Sequence, residues 1–172
     1  MKKSVVDLSD LQEIAPFFKT KFGIFLGKKI IKWLGIKKVN DIHAKHCHLR
    51  GADFTTALLQ DPLMDIKYNV HNAELLDTLP EGAFITISNH PFGHIDGIML
   101  IDIFAARRSD FAVMVNGVLT KIGAMEDNFI SVQPDSKNRG ANVANVNGVR
   151  TSLERLKSGH PMGFFPAGAI SF

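Results

Sequence analysis

A histidine and an aspartate stand close together between two apolar runs of the chain. His90 follows the run Phe84–Ile87, which has the length and composition of a buried strand. Asp96 precedes the run Ile98–Phe104, which is typical of a buried helix. Ligands bind at the ends of the strands in open α/β sheets, so a catalytic pair is expected at such a place. A histidine with an orienting carboxylate forms a general base, which removes a proton from an attacking group.

Each of these two residues also has an ordinary structural interpretation. His90 alone is consistent with a hydrogen-bonding residue at a strand end, and Asp96 alone with a residue that caps the following helix. The combination of both residues with the glycines around them favours catalysis. Gly93 and Gly97 have no Cβ, so backbone amides there can come close to a substrate. We therefore predict a general base at His90 and an orienting carboxylate at Asp96.

Strand-like and helix-like segments alternate after residue 60. The predicted strands are Ile66–Val70, Phe84–Ile87, Phe111–Val115, Phe129–Val132 and Met162–Phe165. The predicted helical segments are Ala73–Leu79 (a short helix or turn), Gly97–Ala105, Val118–Ile122 and an amphipathic helix from Val143 to Lys157. A polar loop, Gln133–Gly140, precedes that last helix. The alternation predicts an α/β fold with a mixed, largely parallel sheet flanked by helices.

Residues 1–60 are predicted to form an N-terminal helical segment, followed by an α/β core over residues 61–172. A period of 3.6 residues places three lysines, Lys21, Lys28 and Lys32, on one side of a helix. The apolar residues on the other side are Phe22, Phe25, Leu26, Ile30, Trp33 and Leu34. One interpretation is an interfacial membrane helix whose lysines face anionic head groups. The other is a helix that packs on the α/β core, and both fit the pattern.

The composition is that of a globular protein. Hydrophobic residues make up 45% and charged residues 22% of the chain, unlike a disordered protein. A single cysteine, Cys47, rules out an internal disulfide and fits a reducing compartment. Without a paired downstream cluster, the histidines around it are expected on a polar helix or loop and not at a metal; they are His43, His46 and His48. The net charge of +3 gives no reason to expect a nucleic-acid partner.

The sequence around the His–Asp pair resembles a known family. Asn89-His90-Pro91 with Asp96-Gly97 is similar to the first motif of the glycerolipid and lysophospholipid acyltransferase superfamily, although five residues separate histidine from aspartate where most members have four. This longer form, close to NHPxGxxDG, resembles the hemolysin-like subfamily that includes the acyltransferases of ornithine- and glycine-lipid synthesis. Phe165-Pro166-Ala167-Gly168 resembles the third motif, and Asn128–Val132 weakly resembles the second.

The resemblance implies transfer of a fatty acyl group from acyl-CoA or acyl-carrier protein to a lysolipid-type acceptor, either a lyso-aminolipid or a lysophospholipid. His90 would be the base and Asp96 would orient it. The residues expected to bind substrate are Asn89, Gly93, His94, Gly97, Phe165, Pro166, Ala167 and Gly168. The resemblance implies no cofactor and no metal, and a peripheral position on the cytoplasmic face of a membrane. Family members continue beyond the third motif, so we expect the α/β core to be truncated at its C-terminal end.

Some residues depart from the family pattern or leave a choice open. Ala167 stands where many members have glutamate, so no role of that carboxylate carries over. No arginine lies within Asn128–Val132, where related glycerol-phosphate enzymes bind the acceptor phosphate, and this favours a lyso-aminolipid. Lys137 and Arg139 follow in the polar loop, where a solvated position is favoured over phosphate binding. His94 either lines the acceptor site or is an exposed turn residue, and we favour the turn.

Two other functions use the same region differently. His90, His94 and Asp96 form H-x3-H-x-D, and imidazole and carboxylate are suitable zinc ligands. A metal-dependent hydrolase is therefore an alternative, although His160 is the only downstream ligand that stands out. The other alternative is a non-catalytic membrane-binding fragment with an incomplete acyltransferase core. Metal analysis separates the first alternative from an acyltransferase, and turnover of an acyl donor separates the second.

Overall fold

The computed structural model describes residues 4–5, 7–33, 35–117, 119, 122–132 and 139–168. The helices are α1 (Leu8–Ile14), α2 (Lys21–Trp33), α3 (Ile36–His46), α4 (Gly51–Gln60), α5 (His94–Ala105) and α6 (Arg139–Lys157). The strands are β1 (Ile85–Ile87), β2 (Ala112–Asn116), β3 (Phe129–Val132) and β4 (Met162–Phe164). Short 3-10 helices span Pro16–Lys19, Ala73–Thr78 and Gly123–Asn128.

The described strands form one sheet in the order β1-β4-β2-β3, and every pair is parallel. The carboxyl ends of parallel strands lie along one edge of a sheet. β1 leads into the segment that carries His90, and its neighbour β4 leads into Phe165. This confirms the predicted α/β class with a largely parallel sheet. It also brings the first and third motifs to neighbouring strand ends.

Helices cover both faces of the sheet. On one face, Val113 of β2 lies in the main core together with Ile101 of α5. On the other face, Ala112 and Met162 lie in a smaller core beside Leu156 of α6. Because successive side chains of a strand point to opposite faces, strands covered on both faces are apolar throughout. That is why β2 and β4 appear in the sequence as short continuous apolar runs. The motif strand β1, predicted to be buried, lies at the edge of the sheet, and its Ile85 and Ile87 are 54% and 73% exposed.

The helix α4 joins the main core although it belongs to the N-terminal part of the chain. Phe54 and Leu59 are almost fully buried and lie in the core with α5. Arg50, just before α4, donates hydrogen bonds to the 3-10 helix Gly123–Asn128. The predicted boundary at residue 60 therefore follows a helix that packs on the α/β core.

The predicted strand over Ile66–Val70 is wrong. The segment is extended, but the described sheet does not include it. Ile66 and Tyr68 are half-buried against the core and the residues that follow each of them are exposed, so the alternation of the sequence is real. It arises because the segment runs along the helices, where the Tyr68 hydroxyl donates a hydrogen bond to Asp102 of α5.

Two helix boundaries differ from the prediction. α5 begins at His94 rather than Gly97, and α6 begins at Arg139, inside the predicted loop Gln133–Gly140. Apolar periodicity reveals only the packed turns of a helix, so a polar first turn is missed. The predicted short helix Val118–Ile122 and the rest of the polar loop fall partly or wholly outside the described residues.

The helix α6 packs on the sheet through Gly148 and Leu156 and exposes three of its larger apolar residues. A Cβ on Gly148 would lie 2.7 Å from the carbonyl oxygen of Ser131 in β3, so glycine permits this close approach. Val146, Val149 and Leu153 are exposed. The apolar spacing therefore predicts the helix correctly but not the face that packs.

The helix α2 packs through glycine and exposes its aromatic residues. Gly23 is buried, and a Cβ there would lie 2.0 Å from the carbonyl oxygen of Phe17 in the preceding 3-10 helix. The glycine, which lowers helix propensity, thus allows two helices to touch. Phe22, Phe25 and Trp33 are 66%, 56% and 85% exposed. Packing on the α/β core, the second interpretation of this helix, is wrong for these three side chains.

Other residues of the predicted apolar side complete the description of α2. Leu26 and Ile30 are half-buried. The helix packs against α1, the 3-10 helix before it and α3. Leu34 lies outside the described residues. Within the described residues, no helix has both the length and the apolar character needed to cross a membrane.

Candidate active site

His90 lies just beyond the carboxyl end of β1. The pairing of β1 with β4 continues to Ser88, whose N–H donates to the carbonyl oxygen of Phe164 at 3.1 Å. The His90 side chain is 20% exposed, so it is largely shielded but still reachable from solvent. Its Nδ1 lies 3.2 Å from Asp96 Oδ2, within ion-pair distance. The two side chains predicted to form the catalytic pair are therefore neighbours.

A tight turn holds Asp96 at the start of α5. Gly93, the residue before the helix, has φ 64° and ψ −127°, a conformation that favours glycine. Its carbonyl oxygen accepts the Asp96 N–H at 3.1 Å. The Phe92 N–H donates to Asp96 Oδ2 at 2.9 Å, and this is the oxygen that faces His90. The carboxylate lies in the first turn of the helix, where the helix dipole stabilises negative charge.

Phe165 stacks on the ring of His90. The two ring centroids are 4.3 Å apart, and the planes are inclined by 32°. Gly97 is buried near the same phenyl ring, since a Cβ there would lie 3.9 Å from Phe165 Cε2. Gly168 has φ 63°, and its N–H donates to the carbonyl oxygen of Phe165 at 3.0 Å, which closes a tight turn. Phe165 of the third motif therefore lies beside His90 of the first.

The remaining residues predicted at the substrate site differ in exposure. Asn89, His94, Pro166 and Ala167 are exposed, whereas Gly93 is buried. His94 is exposed as predicted, but it is the first residue of α5 and not a turn residue, because the turn ends at Gly93. The roles of these residues in binding substrate stay predictions.

Asn128, the first residue of the second motif, lies away from this site. Asn128 is buried, and its side-chain amide donates to the carbonyl oxygen of Phe111 at 2.7 Å. It precedes β3 at the amino edge of the sheet, whereas His90 follows β1 at the carboxyl edge. Lys137 and the side chain of Arg139 lie outside what the structure describes, so their solvated position stays a prediction.

Histidines that resemble metal ligands in the sequence do not form a metal cluster in the described part of the chain. No group of three or more His, Cys, Asp or Glu residues there is arranged to hold a metal ion, and the hydrolase alternative gains no support. His43 is buried, with its ring centroid 5.8 Å from that of Phe54. His46 Nε2 and Lys45 Nζ each lie 2.8 Å from Asp61 Oδ2. His43 and His46 belong to α3 and His48 follows it in a turn, so the predicted helix or loop is found. His43 packs against Phe54, and His46 and Lys45 approach Asp61.

The sequence analysis does not identify a carboxylate network on α5, the helix that carries Asp96. Asp102 accepts hydrogen bonds from Tyr68, Thr55 and Thr56. Burial, followed by the hydrogen bond to Asp102, raises the pKa of Tyr68 well above its usual range. The available signal is Asp102 within the apolar run Ile98–Phe104, since such a carboxylate requires polar partners. The network ties α5 to α4.

Taken together, these contacts place a histidine and a carboxylate at the carboxyl edge of a parallel α/β sheet. A histidine so placed can remove a proton from a bound hydroxyl or amine, and a neighbouring carboxylate stabilises the imidazolium that forms. The described partners of Asp96 are His90 and the neutral N–H of Phe92. The negative charge of the carboxylate is therefore directed at the imidazole.

Comparison with known proteins identifies the class. A family model described as "Acyltransferase" matches residues 11–172, which is nearly the whole chain and includes all three motif segments. The chain belongs to this acyltransferase family, and its class is that of a transferase. No curated protein and no solved structure matched the chain. The finer resemblance, to the hemolysin-like subfamily, stays a prediction.

Proposed function

We propose that the protein transfers a fatty acyl group from acyl-CoA or acyl-carrier protein to a lysolipid-type acceptor. The observation that carries the proposal is the 3.2 Å distance between His90 Nδ1 and Asp96 Oδ2, beside the stacked ring of Phe165. Membership of an acyltransferase family supports the reaction class. The motif form NHPxGxxDG supports a place in the hemolysin-like subfamily, with the acyltransferases of ornithine- and glycine-lipid synthesis.

In the proposed reaction, His90 removes a proton from the hydroxyl or amine of the acceptor. Because Nδ1 faces Asp96, Nε2 is the nitrogen that takes this proton. The acceptor attacks the carbonyl carbon of the thioester, and the tetrahedral intermediate expels the thiolate. The imidazolium then returns the proton to the thiolate, so the products are the acylated lipid and a free thiol. Asp96 stabilises the imidazolium between the two proton transfers.

The acceptor is proposed to be a lyso-aminolipid or a lysophospholipid, with the first preferred. An acceptor phosphate calls for arginine or another strong donor, and Asn128–Val132 contains no arginine. The side chains of Asn128, Phe129 and Ile130 are also buried, so they are not available to a phosphate. Both observations support an acceptor that needs no phosphate contact at the second motif.

The direct test is an acyl-transfer assay on the purified protein. Palmitoyl-CoA or palmitoyl-acyl-carrier protein is supplied with a lyso-aminolipid or a lysophospholipid, and mass spectrometry measures the acylated lipid while free thiol is measured separately. We expect equal amounts of both products, and a higher rate with the lyso-aminolipid. Release of thiol without acylated lipid would contradict the proposal. Loss of activity on chelation, with rescue by zinc, would favour the metal-dependent hydrolase.

We also propose that residues 16–39 bind the cytoplasmic face of a membrane peripherally. This segment contains seven lysines and no acidic residue. The side chains of Phe22, Phe25 and Trp33 are exposed on α2 among lysines that are exposed as well. Lys29 Nζ lies 4.7 Å from the centroid of the Phe25 ring, so cationic and aromatic groups share one surface. Such a surface suits anionic lipid, to which each nearby lysine contributes about 1 kcal/mol.

Trp33 offers a direct measurement of membrane contact, because it is the only tryptophan and is 85% exposed. Anionic vesicles should shift its fluorescence to shorter wavelength, and neutral vesicles should do so much less. Replacing both Lys28 and Lys32 by glutamate should weaken binding to anionic vesicles, and added salt should mimic that loss. Leu75→Ser, an exposed apolar position outside the segment, serves as the control. An unshifted spectrum with anionic vesicles would contradict the membrane proposal.

A further inference from the structure

The side chain of Phe92 is exposed beside the His90–Asp96 pair, and the geometry of the pair does not require it. The main-chain N–H of Phe92 donates to Asp96 Oδ2 at 2.9 Å, and this oxygen also faces His90 Nδ1. Any residue except proline supplies that N–H. The phenyl ring itself is 73% exposed, so the core does not require it either. Neither the hydrogen bond nor the packing explains an aromatic residue at this position.

The turn that carries Phe92 keeps its main chain near the proposed reaction centre. The main chain on its C-terminal side enters α5 through Gly93, whose positive φ fixes the direction of the turn. The hydrogen bond from the Phe92 N–H and the ion-pair contact with His90 Nδ1 meet at one carboxylate oxygen, so the Phe92 backbone and the His90 ring lie close together. The ring of Phe165 stacks on His90 from the end of the neighbouring strand. Each motif therefore has a phenylalanine close to His90, Phe165 through its ring and Phe92 through its main chain.

We propose that Phe92 is a specificity-determining residue whose ring contacts the hydrocarbon chain of the substrate. This inference rests on the proposed acyl transfer. A thioester whose carbonyl is attacked by an acceptor bound at His90 carries its hydrocarbon chain on the same carbon, so the chain begins within the reach of a neighbouring ring. Contact between ring and chain removes apolar surface of both from water, and a chain of a few methylenes is too short to provide that surface.

The test compares long and short acyl donors on the same variants. Phe92→Ser should lower kcat/KM about tenfold with palmitoyl-CoA, as expected for the loss of one apolar side-chain contact, and several-fold less with butyryl-CoA. Phe92→Leu, which keeps an apolar side chain, should recover most of the loss with palmitoyl-CoA. Both variants retain the main-chain N–H that binds Asp96. The acceptor is a lysolipid with a short chain, used without vesicles or micelles.

A matched control lies at the far end of α5. Leu75 is 60% exposed and lies in the 3-10 helix Ala73–Thr78. Asp77 of that helix pairs with Arg107, which follows the C-terminal end of α5, whereas Phe92 precedes its N-terminal end. Leu75→Ser removes an exposed apolar side chain of similar exposure, and it should leave the ratio of palmitoyl to butyryl transfer unchanged.

Each alternative outcome overturns the inference in a recognisable way. Equal losses with both donors would show that Phe92 acts through the turn and not on the chain. An effect seen only when the acceptor chain is lengthened would assign the contact to the acceptor, and one seen only with vesicles would assign it to the membrane. If the parent protein transfers neither acyl group, the proposed function fails and the inference fails with it. If the parent is active but Phe92→Ser matches it with both donors, only this inference is wrong.

Discussion

Two histidine–aspartate pairs lie at opposite edges of the same sheet. At the carboxyl edge, His90 Nδ1 is 3.2 Å from Asp96 Oδ2. At the amino edge, just before β2 and β4, His160 Nδ1 is 2.8 Å from Asp110 Oδ2. The second pair is closer, yet its carboxylate also binds the guanidinium of Arg108 through both oxygens, at 3.0 and 2.9 Å.

The other partners of each carboxylate distinguish the two pairs. The described contacts of Asp96, besides His90, come from the neutral Phe92 N–H, so its charge can stabilise an imidazolium. Burial alone would raise the pKa of Asp110, but hydrogen bonds from Arg108 and His160 outweigh it and hold that pKa below its usual range. A carboxylate that already neutralises an arginine is a structural anchor. A short His–Asp distance therefore does not by itself identify a catalytic pair.

The largest expected effect comes from removing each histidine in turn. His90→Ala should lower acyl transfer by about 10²–10⁴-fold, the usual contribution of a general base, while the folded structure persists. His160→Ala, the matched variant at the amino edge, should change activity per folded molecule less than twofold. The measurement is kcat with palmitoyl-CoA, with circular dichroism to confirm folding.

The same two variants can also contradict the assignment of catalysis to the carboxyl edge. Activity of His90→Ala within a few-fold of the parent would remove His90 from the mechanism. A loss for His160→Ala as large as that for His90→Ala, with the fold intact, would make the amino-edge pair part of the chemistry. Either result would end the assignment of catalysis to the carboxyl edge alone.

The two aspartates provide the next largest difference. Asp96→Asn should reduce kcat by at least about 10²-fold, since an amide cannot stabilise the imidazolium, while its oxygen still accepts the Phe92 N–H. Asp110→Asn should leave kcat nearly unchanged but lower the free energy of unfolding by about 2 kcal/mol, because Arg108 loses its charged partner. Activity and urea unfolding are measured for both. A large kcat loss in Asp110→Asn at normal stability would contradict this division.

The sequence predicts the fold well where strands are buried on both faces. The predicted bounds of β3, Phe129–Val132, are those observed, because a short apolar run between polar segments is typical of a strand covered by helices on both sides. Ile66–Val70 fails because alternation records only that one side of an extended segment is buried. Whether that side meets a sheet or helices depends on distant residues, here Asp102, which lies 34 positions beyond Tyr68.

The candidate site, like the fold, is predictable from the sequence only in part. His90, Asp96 and Phe165 are identifiable because they belong to motifs, and the structure brings them together. The hydrogen bond from the Phe92 N–H to Asp96 cannot be predicted from the sequence, because every residue except proline has a main-chain N–H. Amphipathic spacing indicates that α6 is a helix, but Gly148 faces the sheet whereas Val146 and Val149 are exposed.

The variant Arg108→Lys tests the structural role of the amino edge, and its expected effect is smaller. Besides Asp110, Arg108 donates to the carbonyl oxygens of Pro80, Gly82 and Gly159, which lie before β1 and β4. Arg108→Lys keeps the charge but loses the planar fork, so we expect the free energy of unfolding to fall by about 2 kcal/mol with kcat unchanged.

The control for this variant is the neighbouring arginine. Arg107 is 3.7 Å from Asp77, and both side chains are well exposed, so Arg107→Lys should cost less than about 0.5 kcal/mol. Urea unfolding followed by circular dichroism measures both variants. Equal losses for Arg107→Lys and Arg108→Lys would show that the amino-edge cluster is not a special anchor of the sheet.

The smallest effect is the pH dependence of the Asp110 contribution. The pKa of Asp110 is lower in the folded protein than the value of about 4 in an unfolded chain. Near pH 4 the folded state therefore binds fewer protons than the unfolded state does. The stabilisation by ionised Asp110 is therefore fully present above about pH 4 and is lost as pH falls through the folded pKa. The difference in unfolding free energy between the parent and Asp110→Asn should shrink as the pH falls below about 4, where protonation removes the charge of Asp110. Urea unfolding at each pH measures it, with Arg108 charged throughout. A difference that grows as the pH falls below about 4 would mean that the ionised carboxylate is destabilised in the fold, and Asp110 would then not be the anchor that separates this pair from His90 and Asp96.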